Sequence, residues 1–279
     1  MTIDKFLLIC SLSVFLYAGF TCGSKKKGVV AWATGLLCDD FKNLNNIAWW
    51  YDYKNDLTTY HQTVTQACPH SFHYMPEFIP LIWKSRWNGA IHMNISSNAS
   101  YVMVLNEPDQ AVQTNMSAQQ VADLWPEIEK HSHEKPILSP APAHHNFQWL
   151  DEFFRVCNGC RIDYVAAHAY SCNANHIMSY LEKLYHRYNK EIWLTEFACP
   201  KSTDEHQQLH LMKTLLPKLE AAPYVLRYSW FMARVKRIFD GGFITPAASL
   251  LHNDSSTLTM IGHYYNNFNG TGHSSQIVG

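Results

Sequence analysis

Two stretches share one pattern, and that pattern restricts the fold more than any other feature of the chain. Val102-Met103-Val104-Leu105 is an unbroken apolar run that stops on Asn106-Glu107-Pro108-Asp109. Ile192-Trp193-Leu194-Thr195-Glu196-Phe197 is a second such run that reaches a glutamate. A strand buried on both faces reads as a continuous apolar run, and such strands belong to parallel sheets covered by helices. Pro108 has no N–H for a ladder and biases its predecessor towards extended geometry, so strand pairing is expected to stop at Glu107. Taken alone, Asn106–Asp109 also reads as a turn that opens a helix. The second glutamate decides between the two readings. Two carboxylates at the C-terminal ends of buried strands face one mouth, where α/β folds place their chemistry.

The rest of the chain continues the alternation. Strands are expected at Gly28–Trp32, Asn46–Tyr53, Glu77–Trp83, Val102–Leu105, Pro136–Ala141, Ile162–Ala169, Ile192–Phe197 and Tyr224–Phe231. Pro80 is an awkward residue inside the third, because proline is uncommon in a central strand. Helical periodicity marks Met116–Lys130, with Ser117 as its cap, and then Phe147–Val156, Ile177–Tyr188 and Gln207–Leu219. Eight strands alternating with helical segments imply an α/β protein built as a single (β/α)8 TIM barrel.

The first residues read differently. Phe6 to Phe20 is apolar but shorter than the ~20 residues of a membrane span. Small residues follow at Thr21-Cys22-Gly23 and then the basic Lys25-Lys26-Lys27. This is a signal peptide over residues 1–23, with a signal anchor as the alternative. Cleavage leaves a domain at 24–279, close to the ~250 residues typical of one barrel. Net charge is −1, from 22 basic and 23 acidic side chains, and no basic run follows the lysine triplet. Nucleic acid is therefore not an expected partner, nor is a membrane once the signal is removed. The chain is expected to be a secreted, extracellular monomer.

Secretion makes the cysteines a disulfide framework. Six of the eight cysteines remain after cleavage, and spacing alone leaves about fifteen pairings for them. Strand order narrows them: Cys172 lies just past the sixth strand and Cys199 just past the seventh, and neighbouring strands are ~4.8 Å apart, which suits a bridge. Cys157 and Cys160 close a small loop, and Cys38 pairs with Cys68 by elimination. Asn94, Asn98, Asn115, Asn253 and Asn269 each stand in an Asn-X-Ser/Thr sequon and are candidate glycosylation sites.

The strand ends deliver Trp32; Trp49, Trp50 and Asp52; Trp83; Asn106 and Glu107; His168 and Tyr170; Glu196; and Tyr228 and Trp230. Two carboxylates among aromatics and hydrogen-bonding groups suit glycoside hydrolysis, in which one carboxyl protonates the leaving oxygen and the other attacks or activates water. The aromatic rings offer flat faces to sugar C–H groups. His131, His133, His144 and His145 lie in loop-like segments without the one-face spacing of a zinc motif, so no metal site and no cofactor are expected.

The residues also resemble a known family. Leu105-Asn106-Glu107-Pro108-Asp109, Val165-Ala166-Ala167-His168-Ala169-Tyr170 and Ile192–Cys199 look like the family 128 glycoside hydrolases, secreted β-1,3-glucanases related to fungal alkali-sensitive-linkage proteins. Phe78–Trp83, Arg227–Phe231 and the tail from Leu250-Leu251 to Tyr265 add to the resemblance. It implies Glu107 as acid/base, Glu196 as nucleophile, Asn106 on the sugar 2-hydroxyl, and a β-1,3-glucan as substrate, cleaved with retention. Two blocks depart from the pattern. Trp49-Trp50-Tyr51-Asp52-Tyr53 stands where Trp-Tyr-Tyr-Asn-Trp is expected, and Lys84 stands where a glycine is usual. The rival reading is a lectin-like barrel that binds glucan without cleaving it; such a protein would normally have lost one carboxylate.

Overall fold

Backbone pairing groups the strands into two sheets. The computed structural model describes residues 23–57, 68, 74–85, 88–96, 98–143, 147–236 and 241–270; residues 1–22, where the signal peptide is read, lie outside them. Six strands are β1 (Lys27–Val30), β2 (Trp49–Tyr51), β3 (Glu77–Phe78), β7 (Val165–His168), β8 (Ile192–Phe197) and β9 (Val225–Trp230). They form one sheet in the order β3-β2-β1-β9-β8-β7, with every pair parallel. The other sheet holds β4 (Leu81–Lys84), β5 (Ile91–His92) and β6 (Met103–Val104). There β4 runs parallel to β6 and antiparallel to β5. The result is an α/β fold with a mostly parallel central sheet.

Proline explains two departures from the expected strands. The stretch expected as one strand over Glu77–Trp83 is cut into β3 and β4 at Ile79-Pro80. Ile79 N–H still donates to Trp50 O at 2.9 Å, whereas Pro80 has no N–H to give and only accepts, from Met103 N at 2.9 Å. One half therefore pairs with β2 and the other with β6. Pro136–Ala141, also expected as a strand, pairs only at single bridges: Val102 with Ile137, Leu138 with Tyr164, and Asn106 with Ala141. Pro136 and Pro140 lack the donors for a continuous ladder. The short β5 hairpin was not foreseen.

The α-helices among the described residues are α1 (Asp40–Asn43), α2 (Ala118–His131), α3 (Phe147–Val156), α4 (Ala174–Tyr188), α5 (Glu205–Ala221) and α6 (Met260–Asn267). Their starts are set by local chemistry. Ser117 and Gln120 form a reciprocal capping box on α2, and Asn173 and Asp204 cap α4 and α5 with their side chains. Val121, Trp125 and Ile128 of α2 pack with Phe153 of α3 over Val102 and Val104. Leu181 and Leu184 of α4 and Leu211 and Leu215 of α5 pack on the larger sheet. Each such fully buried aliphatic side chain contributes about 1.5–3 kcal/mol. No described helix is long and apolar enough to cross a membrane.

Two adjacent lysines pin the start of the sheet to two helix ends. Lys26 Nζ donates to the carbonyls of Leu219, Glu220 and Ala222 at the end of α5. Lys27 Nζ donates to Tyr265 O (2.6 Å), Asn266 O (3.2 Å) and Phe268 O (2.6 Å) at the end of α6. Both meet orphan carbonyls at the negative end of a helix dipole. Gly28 follows because Trp49 lies against it: a Cβ there would meet the indole at 2.3 Å.

Candidate active site

Glu107 and Glu196 reach one place by two backbone irregularities. Leu105 and Glu107 hold positive φ, 48° and 41°, so the chain leaves extended geometry where the carboxylate is presented, while Glu107 N–H donates to Ala141 O at 3.1 Å. Such conformations cost of order 1–3 kcal/mol and gather at functional sites. In β8 the register against β7 slips: Ala167 pairs with Leu194, but His168 pairs with Glu196. Thr195 is the extra residue of a bulge, its carbonyl taken by the Ser229 hydroxyl. Counting strict alternation from the inward Trp193 would turn Glu196 away; the bulge turns it back.

His168 Nδ1 stands between the two carboxylates, 2.8 Å from Glu107 Oε1 and 3.4 Å from Glu196 Oε2. The Glu196 side chain is 4% exposed and that of His168 1%, against 16% for Glu107, so Glu107 is the more open of the two acids. Three phenols complete the site. Tyr51 and Tyr53 hydroxyls donate to Glu196 Oε1 at 2.9 and 2.6 Å, and Tyr170 donates to Oε2 at 2.6 Å. Burial drives the Glu196 carboxyl above its ordinary range; His168 opposes this, Glu107 adds to it, and the Tyr170 and Tyr53 hydroxyls oppose it. Burial alone would lower the His168 pKa, but Glu196 and Glu107 outweigh it and raise it. Burial, reinforced by Glu196, holds all three phenols well above the usual tyrosine pKa, so they remain donors.

The other residues expected at the mouth divide. Asn106 is half-buried beside Glu107, and among the described residues its side-chain amide has no hydrogen-bond partner; its backbone carbonyl accepts from Thr114. Trp32 and Trp83 are also half-buried. Trp83 lies flat on His92, with ring centres 4.2 Å apart, and carries Lys54 Nζ 4.2 Å from its centroid. Lys84 ties β4 to the loop after Glu107 by donating to Thr114 O at 3.2 Å.

Five residues are placed elsewhere. Trp49 is fully buried away from the carboxylates, donating to Lys26 O and edge-on to Trp193, while Trp50 packs between Phe41 and Phe78. The Asp52 carboxylate accepts from Ala33 and Tyr53 N–H and clamps two strand ends. Tyr228 donates to Glu220 and Trp230 to Ala248 O, both fully buried. Successive side chains of a strand point to opposite faces, so on β2 the site falls to Tyr51 and Tyr53, on the face of Trp49. Sequence reasoning overlooked those two, although alternation from Trp49 points to them.

The six cysteines after residue 23 pair as expected, Cys172–Cys199 from strand order, Cys157–Cys160 as a small loop and Cys38–Cys68 by elimination. Cys38–Cys68 and Cys157–Cys160 have Cα separations of 5.3 Å, and Cys172–Cys199 has 4.2 Å. The last joins the loop after Tyr170 to the loop after Glu196. One ligand atom each from Glu107, His168 and Glu196 lies within 4.8 Å of the others, close enough for a cation, but both Glu196 oxygens already accept phenolic hydroxyls. His131 and His133 end α2 and the turn after it; His144 and His145 lie outside the described residues.

A 31% identical stretch of 148 residues, half of this chain but 28% of the other, is shared with alkali-sensitive linkage protein 1 of Schizosaccharomyces pombe. A subgroup II family 128 endo-β-1,3-glucanase from Sorangium cellulosum superposes with TM-score 0.70 at 25% identity, covering 86% of this chain and 97% of that one. A subgroup I endo-β-1,3-glucanase from Amycolatopsis mediterranei, solved with laminarihexaose, gives 0.68 at 25% identity over 87% and 99%. An exo-β-1,3-glucanase from Cryptococcus neoformans shares the fold, with TM-score 0.73 at 22% identity over 89% and 100%. The profile of the glycosyl hydrolase catalytic core family matches residues 29–265, and the chain belongs to that family.

Proposed function

We propose that the protein is a secreted, retaining β-1,3-glucanase in which Glu107 is the acid/base and Glu196 the nucleophile. The observation that carries this reading is the convergence of the two carboxylates on one imidazole, with an oxygen of each within 4.8 Å of the other. Retaining glycosidases keep their carboxyls about 5–5.5 Å apart, whereas an inverting pair needs about 6.5–9.5 Å to admit water. Glu107, the more open acid, protonates the leaving oxygen as Glu196 attacks the anomeric carbon. Water then resolves the glycosyl-enzyme with Glu107 as base. Asn106, with its amide uncommitted, binds the 2-hydroxyl, and Trp32 and Trp83 border the groove. The laminarihexaose held by the Amycolatopsis relative supports a β-1,3-glucan as substrate.

The same proposal includes a closed (β/α)8 barrel. The bridges from Val102 and Asn106 to 137–141 and from Leu138 to Tyr164, with β3 and β4 consecutive on either side of Ile79-Pro80, support one ring made from both sheets. It also includes residues 1–23 as a signal peptide and 24–279 as one domain. Exposed Asn94, Asn98, Asn115 and Asn253 support glycan attachment; Asn269 is more enclosed, its Oδ1 accepting from Asn46.

Azide rescue tests the mechanism. Glu196→Ala is expected to be nearly inactive, with added azide giving an α-glycosyl azide. Glu107→Ala is expected to keep turning over substrates with good leaving groups, azide then giving the β product. An α sugar released first by the native enzyme, seen by NMR, overturns the assignment. A glucan-binding protein without catalysis would bind laminarin and release no reducing sugar. Activity lost with a chelator and restored by zinc would instead favour a metal-dependent reaction.

A further inference from the structure

The hydroxyls around Glu196 are distributed unequally. A carboxylate oxygen has two lone-pair sites in its plane. Among the described residues, Oε1 accepts from both Tyr51 and Tyr53, whereas Oε2 accepts only from Tyr170, with His168 Nδ1 at 3.4 Å. Tyr53 itself is fixed from behind: its N–H donates to the Asp52 carboxylate at 2.7 Å, and Asp52 is held by Ala33 N–H. Its ring stands edge-on to Tyr51, with centres 5.7 Å apart. This tyrosine occupies the last position of the second-strand block Trp49-Trp50-Tyr51-Asp52-Tyr53.

We infer that Tyr53 is a positioning residue that completes the closure of Oε1, so that Oε2 is the oxygen that attacks the sugar. This rests on Glu196 being the nucleophile. In the first step an Oε2 lone pair forms the bond to the anomeric carbon. The glycosidic C–O bond breaks, and its electron pair goes to the leaving oxygen, which takes the Glu107 proton. Oε1 is then the carbonyl oxygen of a glycosyl ester, still facing two phenols. In the second step water attacks the anomeric carbon and gives a proton to Glu107. The Oε2–carbon bond breaks and returns its electron pair to the carboxylate. Negative charge spreads back over both oxygens, and the Tyr51 and Tyr53 hydroxyls strengthen their hold on Oε1 as it does. Donors aimed at developing charge in an enclosed site act mainly on the transition state, so Tyr53 favours release of the ester more than its formation.

A pH consequence follows. The groups facing Glu196 are Tyr51 and Tyr53 from β2 and its end, His168 and Tyr170 from β7 and its end, and Glu107 from beyond β6. Removing one donor to the ionised carboxylate raises its pKa, so the acid limb of kcat/KM moves to higher pH.

The test is Tyr53→Phe beside Glu196→Ala, with an aryl β-laminaribioside and laminarin as substrates. For Tyr53→Phe, kcat on the aryl substrate is expected to fall about tenfold or more, the scale of one hydrogen bond to a charged group. KM falls with it because the ester accumulates, a burst of aryl release appears, and the acid limb of kcat/KM shifts upward. Tyr51→Phe, which strips the same oxygen, is expected to act in the same direction. Laminari-oligosaccharide binding by calorimetry and an unchanged melting curve show whether the fold and groove are intact. If Tyr53→Phe does not fold, Tyr51→Phe with the same readouts decides. Wild-type kcat, KM and pH profile in a folded Tyr53→Phe, with Glu196→Ala inactive, overturn this inference alone. An active Glu196→Ala removes the reading beneath it.

Discussion

Lys27 shows how much one residue carries in this fold. Its side chain is fully buried, its ammonium donates to three carbonyls at the end of α6, and burial pushes its pKa down to about 7 with Glu220 in opposition. Below about pH 7 both folded and unfolded chains hold this proton. Between about 7 and the unfolded value of 10.5 the unfolded chain binds more protons, so this residue's contribution to stability rises with pH across that window. Lys27→Met leaves three carbonyls without their donor, and losing buried partners costs about 1–3 kcal/mol per group. The variant is expected to melt well below the native protein, and the gap should widen as pH rises from 7 towards 10. Denaturant melts at several pH values measure it; a gap that narrows rejects the linkage. In a sequence, Lys25-Lys26-Lys27 reads only as a basic run behind a leader. Burial of the third lysine is set by a helix more than two hundred residues away.

At the scale of elements, the site is held by irregularities in regular structure. The Thr195 bulge in β8 sets Glu196 opposite His168, and the Cys172–Cys199 bridge closes the two loops that follow. That bridge spans a sequence separation of 27 residues, for which loop closure suggests about 3.5 kcal/mol of stability. Cys172→Ser with Cys199→Ser is expected to lower the unfolding free energy by about 2–4 kcal/mol. It is also expected to reduce kcat more than it raises KM, because Tyr170 and Glu196 both stand beside the loosened loops. Chemical denaturation and steady-state kinetics on laminarin check the two parts separately. Asp40 and Arg234 form a bidentate buried pair that fastens the start of α1 to the segment after β9. Breaking such a pair from one side costs about 3–5 kcal/mol.

At the scale of the whole molecule, closure decides whether one mouth exists. The segment over 136–141 joins the two sheets through single bridges, supported by Ile137 N–H donating to Asp163 Oδ2 at 2.8 Å and Asp163 N–H returning a bond to Ile137 O at 2.9 Å. A closed ring makes the amides of Val102 and Leu138 part of the globally protected core. They are expected to exchange as slowly as the β8 amides in native-state hydrogen exchange, opening only on complete unfolding. Exchange of Val102 and Leu138 much faster than β8 would instead describe two sheets that part along this seam.

The sequence by itself determined what rests on local rules. Apolar runs ending on Glu107 and Glu196 read as buried strands, Ser117 read as a helix cap, and six cysteines beside ordered strands read as the three bridges that form. Pro80 already signalled a weak point in the third strand. Which residues face the carboxylates was a tertiary decision. Trp49, Trp50, Asp52, Tyr228 and Trp230 sit near strand ends in the chain but point into the core or brace the backbone. Tyr51 and Tyr53 reach Glu196 only because β2 pairs with β1 in one register and β8 carries an extra residue. A side chain's direction alternates with every residue, so one bulge or one residue of register reverses it. Register itself is fixed by contacts between segments far apart in the chain, and composition and local spacing do not encode them.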